Sequence, residues 1–458
     1  MMKYIVLIAF VVSFVVAQEN VEQQMKEMLK RIEKLEQDNK ELKTQVRHQE
    51  IKDDIEDEVD DLLGDIENVE STPTRQPGDP LFSFQIGQGT SLQLVDLSFI
   101  GLLSVGSSTA DEDELLFLQG GAHDPRRRGF TLQQFEIHGE AAIDPYVRAF
   151  FTYVMLIDEE GETVLELEEA YFVTQMLPYG LQFKAGQFFT EFGKLTPHPH
   201  DWAFVDQPVI YSRFFGGDGL RNPGASLSWN APLPWYSEVI VSAQNAFGET
   251  ATSFLFEEGE QVVDGHDLVE RDVESLKDLI YMLSWKNVFM PSEILTLELG
   301  YSFLIGPNGT GDDTTTIIHG LQFYAKWKPR DNKGRYVTWH TEFLLRNYEA
   351  DADPNNANDN EVLNDWGFFT QVIVGLNRFW NVAGRYEYAV GDKGEADRTE
   401  FRDERHRLSA SATYYPSEFF SIRLQYNLDK AQFLGDSFEH SVWLQFGFLV
   451  GTHGAHKY

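Results

Sequence analysis

Two short segments of the 458-residue chain place histidines beside other residues that can bind a metal ion. His198, His200 and Asp201 lie within four consecutive positions, so two imidazoles and a carboxylate come close together. These ligand types suit Zn²⁺ or a similar ion, although three ligands so close in sequence rarely complete a tetrahedral site. His453 and His456 form a second, weaker candidate near the C-terminus. The alternatives are a loop whose histidines hydrogen-bond its own backbone, and a flexible C-terminal tail.

The composition argues against several other kinds of site. The chain has no cysteine, which excludes disulfides, zinc ribbons, iron–sulfur clusters and thiol nucleophiles. Its 73 acidic and 37 basic residues give a formal net charge of -36, which argues against a nucleic-acid partner. The histidines gather in a loop and a tail rather than beside a serine or paired carboxylates on facing strands. An enzyme is therefore not expected.

The first 80 residues differ from the rest of the chain. Residues 1–17 combine a lysine, an apolar run and a small-residue cleavage site, which is typical of a secretory signal peptide. Apolar residues then recur in heptads over 18–70, with Asn39 as a polar seam residue, and predict an α-helical coiled coil. A solvated single helix or a disordered acidic leader is the alternative. A proline-rich linker at 71–81 ends all helix.

From residue 82 onward the hydrophobic period changes from 3.5 to 2. Leu424 and Tyr426, for example, alternate with Arg423 and Gln425, in segments of about ten residues. Seven tight turns are predicted at 144–145, 177–180, 231–234, 291–292, 332–334, 380–381 and 416–417. Eight longer polar links are predicted at 107–129, 157–163, 190–222, 249–279, 306–315, 347–364, 391–404 and 430–438. Fifteen connections join sixteen strands.

An even number of strands, with short turns at one end and long loops at the other, is typical of bacterial outer-membrane barrels. The predicted fold is therefore all-β, a transmembrane antiparallel β-barrel of about 16 strands over residues 82–458, preceded by the coiled coil. A soluble β-sandwich is the alternative, and it lacks this asymmetry. Aromatic residues at strand ends fit the two interfacial girdles of such a barrel: Trp235, Tyr236, Trp327, Trp339, Trp380 and Tyr414.

A barrel of sixteen strands is wide enough to enclose an aqueous channel. The alternation predicts charged side chains of both signs on the inner face, although a register slip of one residue would reverse each assignment. These predicted lumen residues are Arg148, Glu166, Glu168, Lys184, Glu298, Lys326, Glu342, Arg385, Glu387 and Arg423. No ladder of arginines suited to phosphate is visible in the sequence.

Several segments together resemble a family of barrels labelled zinc-regulated outer-membrane proteins. They are 143–149, 168–171, 181–188, 192–194 with 198–202, and 454–456. More distantly the chain resembles phosphate-selective porins, a resemblance that implies trimeric assembly. By analogy with general porins, the third long link, 190–222, is expected to fold into the barrel as a constriction. Its candidate residues are His198, His200, Asp201, Asp206, Arg213 and Asp218.

The sequence thus predicts a porin for passive diffusion of small hydrophilic solutes or ions, in the outer membrane of a Gram-negative-type bacterium. The even strand count places the coiled coil in the periplasm, and a homotrimer in outer-membrane lipid is expected. Divalent cations such as Zn²⁺ are the expected preference, transported or bound, with no cofactor required. The acidic link 249–279 would concentrate cations at the mouth; the alternative is that such loops keep the protein soluble and bind bridging divalent ions at the lipopolysaccharide surface. The alternatives are a structural tether to the cell wall and a TonB-dependent metal receptor, which would need a plug domain and about 22 strands.

Overall fold

The computed structural model describes residues 82–85, 91–158, 161–195, 198–248, 250–255, 262–263, 266–268, 273–330, 333–352, 359–392 and 402–451. The chain divides into two compact units, Met1–Pro77 and Gly78–Tyr458, and all described residues belong to the second. The predicted signal peptide, coiled coil and most of the linker, together with His453 and His456, lie outside the described residues. None of the described helices is long and apolar enough to cross a membrane.

In the described part of the chain, seventeen antiparallel strands form one sheet, and all but the first of them close into a barrel of sixteen. A short strand β1 (Phe82–Gln85) pairs with β2 (Ser91–Ser108). The other barrel strands are β3 (Gly129–Asp144), β4 (Val147–Ile157), β5 (Thr163–Thr174), β6 (Leu181–Phe189), β7 (Arg221–Asn230), β8 (Tyr236–Asn245), β11 (Leu279–Ser292), β12 (Leu295–Pro307), β13 (Thr315–Trp327), β14 (Tyr336–Ala350), β15 (Glu361–Gly375), β16 (Trp380–Gly391), β17 (Arg405–Ser417), β18 (Phe420–Ala431) and β19 (Glu439–Gly451). Consecutive strands pair, β8 pairs with β11, and β19 pairs with β2 to close the barrel.

The long connections carry the remaining elements. We name 109–128 loop L1, 190–220 loop L3 and 246–278 loop L4. L1 contains the helix Glu112–Leu118, and L3 contains the 3-10 turn Pro199–Asp201 and the helix Val209–Phe215. L4 contains the hairpin β9 (Val262–Val263) and β10 (His266–Asp267) and the 3-10 turn Leu276–Asp278. Further 3-10 turns are Pro178–Gly180 and Gln432–Leu434.

The predicted strand count is confirmed, but three predicted turns are wrong in position: residues 291–292 end β11, residues 416–417 end β17, and residues 380–381 begin β16. Trp380 is the first residue of β16, and the turn before it spans 376–379. There the Asn377 side chain accepts hydrogen bonds from the backbone N–H groups of Phe379 and Trp380, at 2.8 and 3.2 Å. This Asx turn, rather than the Trp-Asn pair that follows it, reverses the chain.

The two faces of the barrel alternate as the period of 2 predicts. On β18, Leu424 and Tyr426 are exposed on the outer face, whereas Arg423, Gln425 and Asn427 are buried inside. Outward aromatic residues lie at or near the tight-turn ends of the strands, among them Trp235, Tyr236, Trp327, Trp339 and Trp380. The outer surface therefore has the aromatic belt expected at a membrane interface.

The interior is less polar than the sequence predicts. Apolar side chains of the inner wall pack with residues of L3 and L4 into a hydrophobic core. The wall contributes Ile240, Ile280, Met282, Leu304, Ile318, Leu344, Phe369 and Ala389. The loops contribute Phe192, Val209, Ile210, Tyr211, Phe214, Phe215, Leu220, Ala246, Ala251, Phe254 and Leu255. Since each large apolar side chain contributes about 1.5–3 kcal/mol on burial, this core holds L3 inside the barrel.

Candidate functional site

Loop L3 crosses the barrel interior and is fastened first to strands β12 and β14. The backbone N–H groups of Lys194 and Leu195 donate to Glu342 Oε1 at 3.0 and 2.9 Å, and Lys194 Nζ lies 2.8 Å from Glu298 Oε2. Later in the same loop, the Tyr211 hydroxyl donates to Glu342 Oε2 at 2.5 Å. One buried carboxylate of β14 therefore holds two separate parts of L3.

Gly193 makes this approach possible. Its φ is 71°, and a Cβ at this position would lie 2.2 Å from Glu342 Oε2. A side chain here would be strained in its backbone and would also displace the Glu342 carboxylate.

The middle of L3 is anchored by Asp206, which is fully buried. Its carboxylate forms an ion pair with Arg385, lies 3.3 Å from Arg407 NH1, and accepts hydrogen bonds from Gln425 and Asn427 at 2.9 and 2.6 Å. Burial alone would raise the pKa of Asp206, but the two guanidinium groups and the amide donors lower it below its ordinary value. Asp206 is therefore an ionised anchor for the loop.

Four arginines of β16, β17 and β18 form what we call the arginine wall: Arg385, Arg405, Arg407 and Arg423. Arg423 donates to the L3 carbonyls of Trp202 and Phe204, at 2.5 and 3.1 Å. Arg405 donates to the L1 carbonyl of Phe117 at 3.1 Å. Such a row is not visible in the sequence, because its members come from three strands. Their donors bind protein carboxylates and loop carbonyls.

Beyond β19 and β2, at β3 and β5, L3 meets a group that we call the histidine–glutamate cluster: His123 of L1, Glu136 of β3, Glu168 and Glu169 of β5, and His198 and His200 of L3. His198 Nδ1 lies 3.9 Å from Glu168 Oε2, and His198 Nε2 lies 3.6 Å from Glu169 Oε2. His200 Nδ1 lies 3.5 Å from Glu136 Oε2. His123 Nε2 lies 3.4 Å from Glu168 Oε1.

The carboxylates of this cluster raise the pKa of two of its histidines, His198 and His123. Burial alone would lower the pKa of His198, but contact with Glu169 and the charges of Glu136 and Glu168 raise it to about 10. Burial likewise opposes protonation of His123, yet Glu168 raises its pKa to about 9. The buried carboxylates thus require positive charge beside them.

The predicted metal triad is brought together only in part. Among the described residues, Glu136, Glu168 and His198 offer ligand atoms that all lie within 4.8 Å of one another. His200 lies beside them, its ring centroid 5.7 Å from that of His198, whereas Asp201 lies 3.5 Å from His200 Nε2 and is not part of this group of three. Sequence reasoning missed Glu136, although its inward position on β3 follows from the strand alternation.

The other predicted lumen residues occupy the inner wall in different settings. Glu298, Glu342, Arg385, Glu387 and Arg423 are buried and contact L3. Glu166 pairs with Arg221, Lys184 with Glu191, and Arg148 with Glu140 near the tight turn. Lys326 is half-buried. Of the predicted loop residues, Arg213 donates to the carbonyl of Asp403 at 2.8 Å, and Asp218 lies near Arg221 and His123.

Some charged side chains around L3 keep access to water. Lys184, Glu191, Lys194 and Asp201 retain between 18% and 35% of their side-chain exposure. Both signs of charge therefore border the water-accessible part of the interior, and Asp201 among them lies 3.5 Å from His200.

No family model matches the chain. An uncharacterized protein of Aquifex aeolicus (strain VF5) is 29% identical over 385 residues, which cover 80% of this chain and 79% of that protein. The outer membrane channel DcaP of Acinetobacter baumannii is similar in structure, with a TM-score of 0.51 and 12% identity, over 78% of this chain and 97% of DcaP. The chain has the fold of a porin-type barrel. Salmonella typhi OmpF also matches, with a TM-score of 0.47 and 11% identity, over 78% of this chain and 97% of OmpF.

Proposed function

We propose that the chain is an outer-membrane porin, a non-enzymatic channel through which small hydrophilic solutes or ions diffuse passively. The observation that carries the proposal is L3, which lies inside a closed 16-stranded barrel and leaves water-accessible charges of both signs beside it. The apolar outer face with its aromatic belt supports a place in outer-membrane lipid. The strand count also supports a porin rather than a receptor of about 22 strands.

L3 acts in this proposal as the constriction. Its anchors on Glu342 and Asp206 fix it against β14 and β16–β18, so the opening that remains is bordered by Lys184, Glu191 and Lys194. Small solutes would pass these charges, while the core around L3 excludes larger ones.

Single-channel recording in planar bilayers tests the channel. We expect stepwise conductance from the purified full-length protein. A barrel that is correctly folded and never conducts would overturn the proposal and favour the structural tether.

A preference for cations, including divalent ions such as Zn²⁺, is the finer part of the proposal. Asp201 and Glu191 keep exposed carboxylates beside the opening, and local negative charge raises the concentration of cations there. The acidic part of the 249–279 link lies largely outside the described residues.

Reversal potentials in salt gradients measure this preference. Asp201→Asn should shift the potential toward anions, whereas Glu293→Gln, an exposed carboxylate in the tight turn between β11 and β12, serves as the matched control. A potential that favours anions in the unsubstituted protein would contradict the preference.

Assembly as a homotrimer, with the coiled coil of residues 18–70 in the periplasm, completes the proposal. The start of β2 and the end of β19 both lie at the tight-turn end of the barrel, which supports placing both termini on one side. Native mass spectrometry of the full chain and of a variant lacking residues 18–70 tests both points. Trimers that persist without these residues would assign assembly to the barrel alone.

A further inference from the structure

The contacts within the histidine–glutamate cluster are unusually long for paired charges. Charge-assisted N–H···O hydrogen bonds normally span about 2.7–2.9 Å. His198 and Glu168 stand 3.9 Å apart, and His200 and Glu136 stand 3.5 Å apart. Both glutamates are nearly inaccessible to water. These side chains therefore face one another at distances longer than those of direct charge-assisted hydrogen bonds.

The spacing fits coordination of a metal ion. At a metal–ligand distance of about 2.1 Å, neighbouring ligand atoms of a tetrahedral site lie about 3.4 Å apart. Glu136, Glu168 and His198 offer atoms within 4.8 Å of one another, so modest side-chain rotations would bring three ligands into place. His200 beside Glu136, or Glu169 beside His198, supplies a fourth.

The ligand types narrow the choice of ion. Carboxylates with imidazole suit Zn²⁺ and related transition metals, whereas Ca²⁺ and Mg²⁺ prefer sites made of oxygen alone. A divalent ion would also compensate three carboxylates that are buried close together: Glu136, Glu168 and Glu169.

We propose that Glu136, Glu168 and His198 bind a divalent transition-metal ion that fastens L3 to strands β3 and β5. The ion joins side chains from three separate parts of the chain, so it fixes L3 to β3 and β5, whereas Asp206 fixes it to β16, β17 and β18. Binding is an equilibrium property of the folded barrel and does not require that the barrel conduct.

Zn²⁺ binding to the purified, detergent-solubilised full-length protein tests the proposal. Equilibrium dialysis followed by elemental analysis should find one ion per chain at this site. Glu168→Gln and His198→Gln should each weaken its affinity at least tenfold. Heat-modifiable migration in electrophoresis checks that each variant retains a folded barrel.

Two controls separate this site from other histidines. His406→Gln replaces a histidine that lies 2.8 Å from the Tyr386 hydroxyl, away from the cluster, and should leave binding unchanged. The double variant His453→Gln with His456→Gln removes the C-terminal pair and should also leave the site intact. Unchanged affinity in the Glu168 and His198 variants, with loss in the tail variant, would overturn the proposal.

Co²⁺ substitution provides a readout that needs no variant. In the unsubstituted protein, Co²⁺ should develop visible d–d absorption of a four- or five-coordinate nitrogen–oxygen site, and Zn²⁺ should abolish it. Absence of such absorption at saturating Co²⁺ would contradict the proposal even if every variant failed to fold.

Discussion

Loop L3 is held by two groups of side chains, the arginine wall and the histidine–glutamate cluster, and their contacts differ in length. At the arginine wall, Arg407 Nε lies 2.8 Å from Asp429 Oδ1, and Arg385 Nε lies 2.7 Å from Glu387 Oε1. Across the histidine–glutamate cluster, the corresponding distances to Glu168 are 3.4 and 3.9 Å. The arginine wall thus holds L3 through close charge-assisted contacts within the protein. The contacts of the histidine–glutamate cluster are longer, and the metal ion proposed above would shorten the link between its side chains.

The largest loss of stability is expected when Asp206, the carboxylate that the arginine wall binds, is removed. Asp206→Ala leaves Arg385 and Arg407 buried without their shared partner, which should cost about 3–5 kcal/mol in the free energy of unfolding. Urea-induced unfolding from lipid vesicles measures the loss, and single-channel recording should show a larger or less stable conductance as L3 detaches. Asp201→Ala, in the same loop and more exposed, is the control and should change stability little. Equal effects of the two substitutions would contradict the anchoring role.

The next effect is expected at Glu342, which holds two parts of L3. Glu342→Ala removes acceptors for Lys194, Leu195 and the Tyr211 hydroxyl, and should destabilise the protein by about 3 kcal/mol. Glu349 lies on the same strand, and its carboxylate accepts a hydrogen bond from the Thr315 backbone N–H, so Glu349→Ala should cost about 1 kcal/mol. A conductance change in the Glu349 variant alone would place the constriction elsewhere.

Zn²⁺ should stabilise the protein through the histidine–glutamate cluster and not through the arginine wall. At a concentration 100 times its dissociation constant, an ion that binds only the folded barrel stabilises it by about 2.7 kcal/mol. We expect this gain in the unsubstituted protein and in Asp206→Ala, and its loss in His198→Gln. If Asp206→Ala abolished the stabilisation by Zn²⁺ while the barrel remained folded, the arginine wall and the histidine–glutamate cluster would not be independent of each other.

The barrel is predicted well because the alternation of apolar and polar residues along each strand indicates which face contacts lipid. Leu424 and Gln425 illustrate this, since one is exposed outside and the other is buried inside. The same alternation does not indicate which loops pack against the inner face. Phe368 and Phe369 are consecutive on β15, so both faces of the strand are apolar there. Phe369 points inward and packs against Tyr211 of L3, a contact that the strand pattern does not predict.

The candidate site was predictable in part for a similar reason. His198 and His200 are close in sequence, and their spacing alone indicates a metal-binding segment. Glu136 and Glu168 reach them from β3 and β5, which the fold brings to L3 from distant parts of the chain. Local spacing therefore identifies the loop ligands, whereas the wall ligands require the register of the barrel.

The smallest effect on channel function is expected from a substitution outside both the arginine wall and the histidine–glutamate cluster. Asn377→Ala removes the Asx turn between β15 and β16, which should cost about 1 kcal/mol in the free energy of unfolding. Because this turn makes no contact with L3 among the described residues, conductance and Zn²⁺ affinity should stay unchanged when the barrel is folded. Weaker Zn²⁺ binding in this variant would mean that affinity follows global stability. The open distances of the histidine–glutamate cluster would then carry no special meaning.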